Sequence, residues 1–132
     1  MALTLVTAPS VEPITLTEAK THLRVDTTND DTLITALIVA ARQYAEGFQN
    51  RVYVTQTWDL TLDEWPDGDT IEIPLPPLQS VTSIAYKDKD GVNSTLAAAN
   101  YSVGTKNEPG RVTLAYGKSW PSATLYPIEA IA

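Results

Sequence analysis

Apolar side chains at Leu33, Ile34, Leu37, Ile38, Ala40, Ala41, Tyr44, Ala45 and Phe48 recur with the period of an α-helix. The pattern predicts a helix over 31–48 that spans roughly 27 Å. Its stripe is broad enough to face more than one neighbour, a second subunit included. Ahead of it the pattern turns helical from Leu16, and residues 18–25 predict a helix of about two turns, with Ala19 and Leu23 on one face. Thr17 is its expected N-cap, and Glu18 suits the positive helix start. Residues 1–13, with Pro9 and Pro13 and no clear period, read as an extended arm.

After Arg51 the period drops to two. Val52, Val54, Trp58, Leu60 and Leu62 alternate with Tyr53, Thr55, Thr57, Asp59, Thr61 and Asp63, which predicts a long strand with one buried face. "WPDGD" at 65–69 has turn chemistry, and "TIEIPL" resumes the alternation. Pairing Leu62 with Ile71, Leu60 with Ile73 and Trp58 with Leu75 gathers apolar side chains on one face, which makes that the expected register. The prolines of "PLPPLQS" demote 74–80 to an edge or crossover. A hairpin turning at Asp90-Gly91 follows, then one around "NEPG", where Pro109-Gly110 fits the centre of a type II turn. The expected fold is α+β: a short and a long N-terminal helix, then a six-stranded antiparallel meander sheet or small open barrel. One domain covers 1–132, with an arm (1–13), a helical part (14–51), a β part (52–121) and a tail (122–132).

Composition is compatible with one packed domain, at 43% hydrophobic and 19% charged residues. The absence of cysteine excludes disulfides and thiolate chemistry. The N-terminus lacks a basic region followed by an apolar core, and no run is long enough to span a bilayer, so a soluble, unprocessed chain with no membrane partner is expected. Charge alters the picture more. The net charge is -7, and no Lys, Arg or His lies between Val52 and Tyr86, whereas Asp59, Asp63, Glu64, Asp67, Asp69 and Glu72 all do. Such a surface repels phosphate, since tight duplex binding needs several cationic contacts. It is either a solvated face, a dock for a basic partner, or the wall of a passage through which DNA slides without sticking.

Candidate chemistry is sparse. "HLRVDTTNDDTLI" at 22–34 places the single histidine, His22, near Asp26, Asp30 and Asp31. Histidine ligands usually come in groups, and the stretch reads better as a joint between helices, with Thr28 or Asn29 capping the second and Asp30 and Asp31 in its first turn. In the expected register Thr61 faces Glu72 with Asp59 and Asp63 diagonal at about 7–8 Å. That overlaps the roughly 6.5–9.5 Å of inverting glycosidases, but nothing supplies a desolvating wall. "DKDGVNS" at 88–94 lacks the further acids of a calcium loop, and no P-loop, nucleophile elbow or HExxH pattern occurs. No catalytic, metal or cofactor residue is assigned, and no cofactor is expected. Trp58 is read as core. Trp65 and Trp120, with Arg42 and Arg51, are candidate partner or subunit contacts. A β-rich recognition module using Trp65 and the acidic hairpin remains an alternative.

The blocks "ITLTEAKTHLRVD", "DDTLITALIVAARQYAEGFQNR", "TQTWDLTLDEWP", "IEIPLPPLQSVTSIAYKDKDG" and "EPGRVTLAYGKSWP" occur in that order over residues 14–121. Together they resemble the head-to-tail connector proteins of tailed bacteriophages and prophages, in the branch with a β-rich insertion after paired N-terminal helices. The resemblance implies a structural, non-catalytic subunit of a ring between portal and tail, through whose channel DNA passes without specific binding. It implies as partners further copies of the chain, the portal protein and a tail-side head-completion protein. The location implied is the head-tail junction of the virion, after assembly in the host cytoplasm. Asp59, Asp63, Asp67, Asp69 and Glu72 then become a candidate channel-facing surface. Members of this branch continue past the "SWP" block with a strand and helices, whereas this sequence stops at "YPIEAIA", so a shortened chain is expected.

Overall fold

The computed structural model describes residues 1–122 and the backbone of 128–131. The chain forms two compact units, Pro9–Thr55 and Met1–Ala8 with Gln56–Ala132.

The first unit holds α1 (Leu16–Leu23) and α2 (Asp31–Gln49). The N-cap of α1 is Thr15 rather than Thr17. Its hydroxyl accepts from the Glu18 backbone N–H at 3.2 Å, while the Glu18 carboxylate accepts from the Thr15 N–H at 2.8 Å. This reciprocal box satisfies two helix-end donors, which Thr17 could not do from inside the first turn. The backbone hydrogen bond from Thr15, and after it the hydroxyl bond, hold the Glu18 carboxyl below its usual range. Its contribution is therefore present above the ordinary glutamate value and lost as pH falls through the lowered one. Arg24 and Asn50 end the two helices in left-handed conformation, at φ 57° and 51°.

Two sheets form in the other unit. One runs β1 (Ala2–Thr7), β2 (Thr57–Leu62), β8 (Ile128–Ile131), β4 (Ser83–Lys87), β5 (Asn93–Thr95), and the second runs β3 (Thr70–Ile73), β7 (Gly110–Leu114), β6 (Tyr101–Gly104). Every pairing is antiparallel. The α+β class therefore holds, with eight strands in two sheets among the described residues rather than six in one meander. Both later hairpins form as expected, β4 with β5 and β6 with β7. At the first turn, Gly91 takes φ 78° and Asp88 Oδ1 accepts from the N–H groups of Asp90 and Val92.

Three expectations are corrected. Ala2–Thr7 of the arm form the edge strand β1, pairing Leu3 with Leu60 and Leu5 with Trp58. Part of the tail is β8, inserted between β2 and β4, while residues 123–127 and 132 lie outside the described residues. The β2–β3 hairpin does not form. With β1 and β8 occupying both sides of β2, β3 crosses to the other sheet, where Ile71 faces Val112 and Ile73 faces Gly110. Leu75, at φ 59°, has already left the strand. The alternation of β2 and β3 fits any apolar partner, so it fixes faces without choosing neighbours.

Leu60 and Ile84 from one sheet and Ile71, Ile73 and Val112 from the other close on a shared core with Leu78 and Leu96. Gly110 begins β7 beneath Leu78 and does not adopt the positive φ of a type II turn, so its role is close packing.

Candidate interaction surfaces

The α2 helix has two faces of different chemistry. On the inward side, Ile34, Arg42 and Glu46 are buried. The Arg42 guanidinium donates from Nε and Nη2 to Glu12 at 2.7 and 3.2 Å and from Nη1 to Glu46 at 2.7 Å. Glu46 accepts in turn from the Tyr53 backbone N–H at 2.8 Å. The hydrogen bonds to Glu12 raise the Arg42 pKa against the opposing effect of burial, so the guanidinium stays charged. This network ties the chain before α1 and the chain after α2 to the middle of α2. On the outward side, Leu33, Leu37, Tyr44 and Phe48 are 59%, 57%, 77% and 82% exposed, and Ala40 is exposed between them. The stripe read from sequence is thus amphipathic in an unusual sense: a buried ion network lies behind it and bare apolar side chains lie in front.

The joint at 22–34 is built around Lys20, whose Nζ donates to Asp31 Oδ1 at 2.6 Å, half-buried. Asp30 is the N-cap position but makes no side-chain capping bond, and Thr28 contributes only its carbonyl, accepting from the Asp31 N–H at 3.3 Å. The two aspartates are therefore unequal. Asp31→Ala is expected to lower stability by about 0.5–1 kcal/mol and Asp30→Ala by less, with the Asp31 effect shrinking in high salt. Urea titrations of both variants would reject the bridge if their midpoints moved equally. Among the described residues no three His, Asp or Glu side chains converge as metal ligands.

The acidic set does not gather on one hairpin. Asp59 and Asp63 belong to or adjoin β2, Asp67 and Asp69 lie in the crossing between sheets, and Glu72 is on β3 opposite Arg111. Thr61 faces Ala2 and Glu129 instead of Glu72, so the carboxylate pairing weighed from sequence does not occur. Asp63 meets the N-terminal ammonium at 3.4 Å, exposed. Asp63, Asp67, Asp69 and Glu72 are exposed, while Asp59 is half-buried with Oδ1 lacking a hydrogen-bond partner among the described residues.

The tryptophans are used internally. Trp65 stacks on Trp120 with ring centroids 4.7 Å apart and an interplanar angle of 9°, and meets Tyr86 edge-on at 5.8 Å. Trp120 Nε1 donates to the Gly68 carbonyl at 2.8 Å. All three rings pack on the rim of the core, together with Leu3 and Leu62. Trp58 is half-buried, and its Nε1, like that of Trp65, has no hydrogen-bond partner among the described residues. Arg51 is half-buried at the end of α2, where its N–H donates to the Glu46 carbonyl at 3.1 Å. The contacts that sequence reasoning missed are Glu12 and Tyr53. Only the Arg42-Glu46 spacing of four residues on a helix signalled the network.

Comparison with known proteins places these surfaces in context. No curated protein matches the chain. Over 99% of its length it is similar to a chain in the neck of an empty gene transfer agent (GTA) particle computed with C6 symmetry, with TM-score 0.83, 25% identity and 69% of that chain covered. It is also similar over 99% of its length to a chain of the native GTA virion, with TM-score 0.75, 26% identity and 70% of that chain covered. A chain in the neck of the native particle computed with C12 symmetry shares the fold at TM-score 0.73 and 23% identity, with 99% of this chain and 68% of that one covered. The family model described as "Phage gp6-like head-tail connector protein" matches residues 13–108, which include both helices and strands β2 to β6. The chain belongs to the phage gp6-like head-tail connector family.

Proposed function

We propose that the chain is a non-catalytic structural subunit of a ring at the head-tail junction of a phage or prophage-derived particle, seated between portal and tail. The family match carries this reading, and likeness to a chain in a GTA neck and to a chain of the native GTA virion supports it. The ring assembles in the host cytoplasm from copies of the chain, with the portal protein on one side and a tail-side head-completion protein on the other. DNA passes through its channel. The excess of acidic residues, 16 against 9 Lys and Arg, suits a conduit, because a wall that gathered phosphate contacts would hold the DNA it must release. In this reading the exposed Asp63, Asp67, Asp69 and Glu72 belong to that wall, and the bare α2 stripe is covered by neighbouring protein.

Cryo-EM of the particle that carries this chain is expected to show it at the portal vertex, in multiple copies around the channel axis. Density for it elsewhere on the particle would refute the assignment.

A further inference from the structure

The α2 stripe has a candidate receptor on its own unit. Val11, Ile14 and Leu16 from the segment leading into α1, with Thr35 and Ile38 from α2, line a groove of about 300 Å³. Its one ionisable lining residue, Glu12, is already engaged by Arg42, so the groove presents an apolar floor with no uncompensated charge. Val11 and Ile14 stand 63% and 52% exposed at its edge. At 100° per residue, Thr35 and Ile38 lie about 140° around α2 from the line through Leu33, Leu37, Tyr44 and Phe48. The helix therefore carries a projecting aromatic knob on one side and an apolar recess on nearly the opposite side.

Two complementary patches that do not overlap make a head-to-tail contact, in which each copy uses its knob on one neighbour and its groove on the other. A self-complementary dimer would instead bring one patch against its own twin. From this arrangement, and resting on the ring reading above, we infer that Phe48, flanked by Tyr44, inserts into the groove bounded by Val11, Ile14 and Thr35 of the next copy of this chain. The bare area also favours closure over pairing. The four stripe side chains offer on the order of 500 Å², against roughly 800 Å² per partner in a standard stable interface. One contact of this size is weak, and a closed ring in which every copy makes two of them is not.

The test uses three exposed-site variants of the whole chain: Phe48→Ala, which removes the knob, and Thr35→Trp and Val11→Asp, which obstruct the groove by bulk and by charge. Thermal unfolding within a few degrees of the wild type establishes that each is folded. Light scattering across a concentration series is expected to show wild-type self-association and at least a tenfold weaker association for each variant alone. Mixing Phe48→Ala with Thr35→Trp leaves one intact groove and one intact knob, so a 1:1 dimer should form and growth should stop there. Wild-type-like assembly of both groove variants, or no heterodimer in the mixture, overturns the knob-and-groove pairing while the ring reading stands. A wild-type chain that stays monomeric at every concentration overturns both.

Discussion

Gly110→Ala is expected to destabilise the β unit by about 1–3 kcal/mol, toward the upper end, although it adds a single methyl group. A Cβ at this position would lie 2.3 Å from Leu78 Cβ and 2.7 Å from Leu78 Cδ2. The second clash could be relieved by rotating the leucine, but the first cannot, because a Cβ moves only with its backbone. Neither backbone is free to retreat. β7 is the middle strand of its sheet, paired to β3 through Ile73 and to β6 through Arg111, and Leu78 is buried in the core. In a unit of this size each kcal/mol moves Tm by roughly 4–8 °C. Gly68→Ala is the control: nothing lies within 4 Å of its Cβ position, and it should stay within about 0.5 kcal/mol of wild type. In a Leu78→Ala background Gly110→Ala should remain costly, because the closest atom is still there. A neutral Gly110→Ala in denaturant titrations would show that the close approach does not exist.

Gly110 also shows where sequence reasoning stops. Next to Pro109 it reads as a turn glycine, and only Leu78, brought over it by the fold, gives it its actual role. What was legible was local. α2 was placed at 31–48 and runs Asp31–Gln49, and the β4–β5 and β6–β7 hairpins follow from turns a few residues long. What was not legible depended on partners distant in sequence. β2 carries a clear alternation, but its neighbours are the two ends of the chain, and neither end has enough of a pattern to announce itself as a strand. The interaction surfaces divide in the same way. The breadth of the α2 stripe anticipated an uncovered face, whereas the sequence left Trp65 and Trp120 between rim packing and partner contact, and the fold stacks them on each other. The connector family was legible in the order of whole blocks along the chain, since a structural connector needs no residue chemistry that a short motif could reveal.

Arg42→Met is expected to cost the helical unit about 3–5 kcal/mol. The substitution keeps most of the side-chain volume, so the loss is electrostatic: Glu12 and Glu46 keep their desolvation and lose the cation that compensated it. Arg42→Lys should fall between, since an ammonium cannot reproduce a two-pronged contact with Glu12 while also reaching Glu46. Exchanging the pair together, Arg42→Met with Glu46→Leu, should recover part of the loss, because a buried pair replaced by packed apolar groups is nearly neutral. Unlike the more exposed Lys20-Asp31 bridge, the Arg42 effect should persist in high salt. A loss under about 1 kcal/mol in urea titration would mean that the network adds little beyond a surface ion pair. In the proposed ring the consequence would reach assembly. Glu12 lies in the segment that walls the groove, and its tie to Arg42, thirty residues away in sequence, fixes that segment on α2. Faster amide exchange at 10–16 in Arg42→Lys, together with weakened self-association while α2 stays helical, would show one buried arginine maintaining the surface on which the next subunit docks.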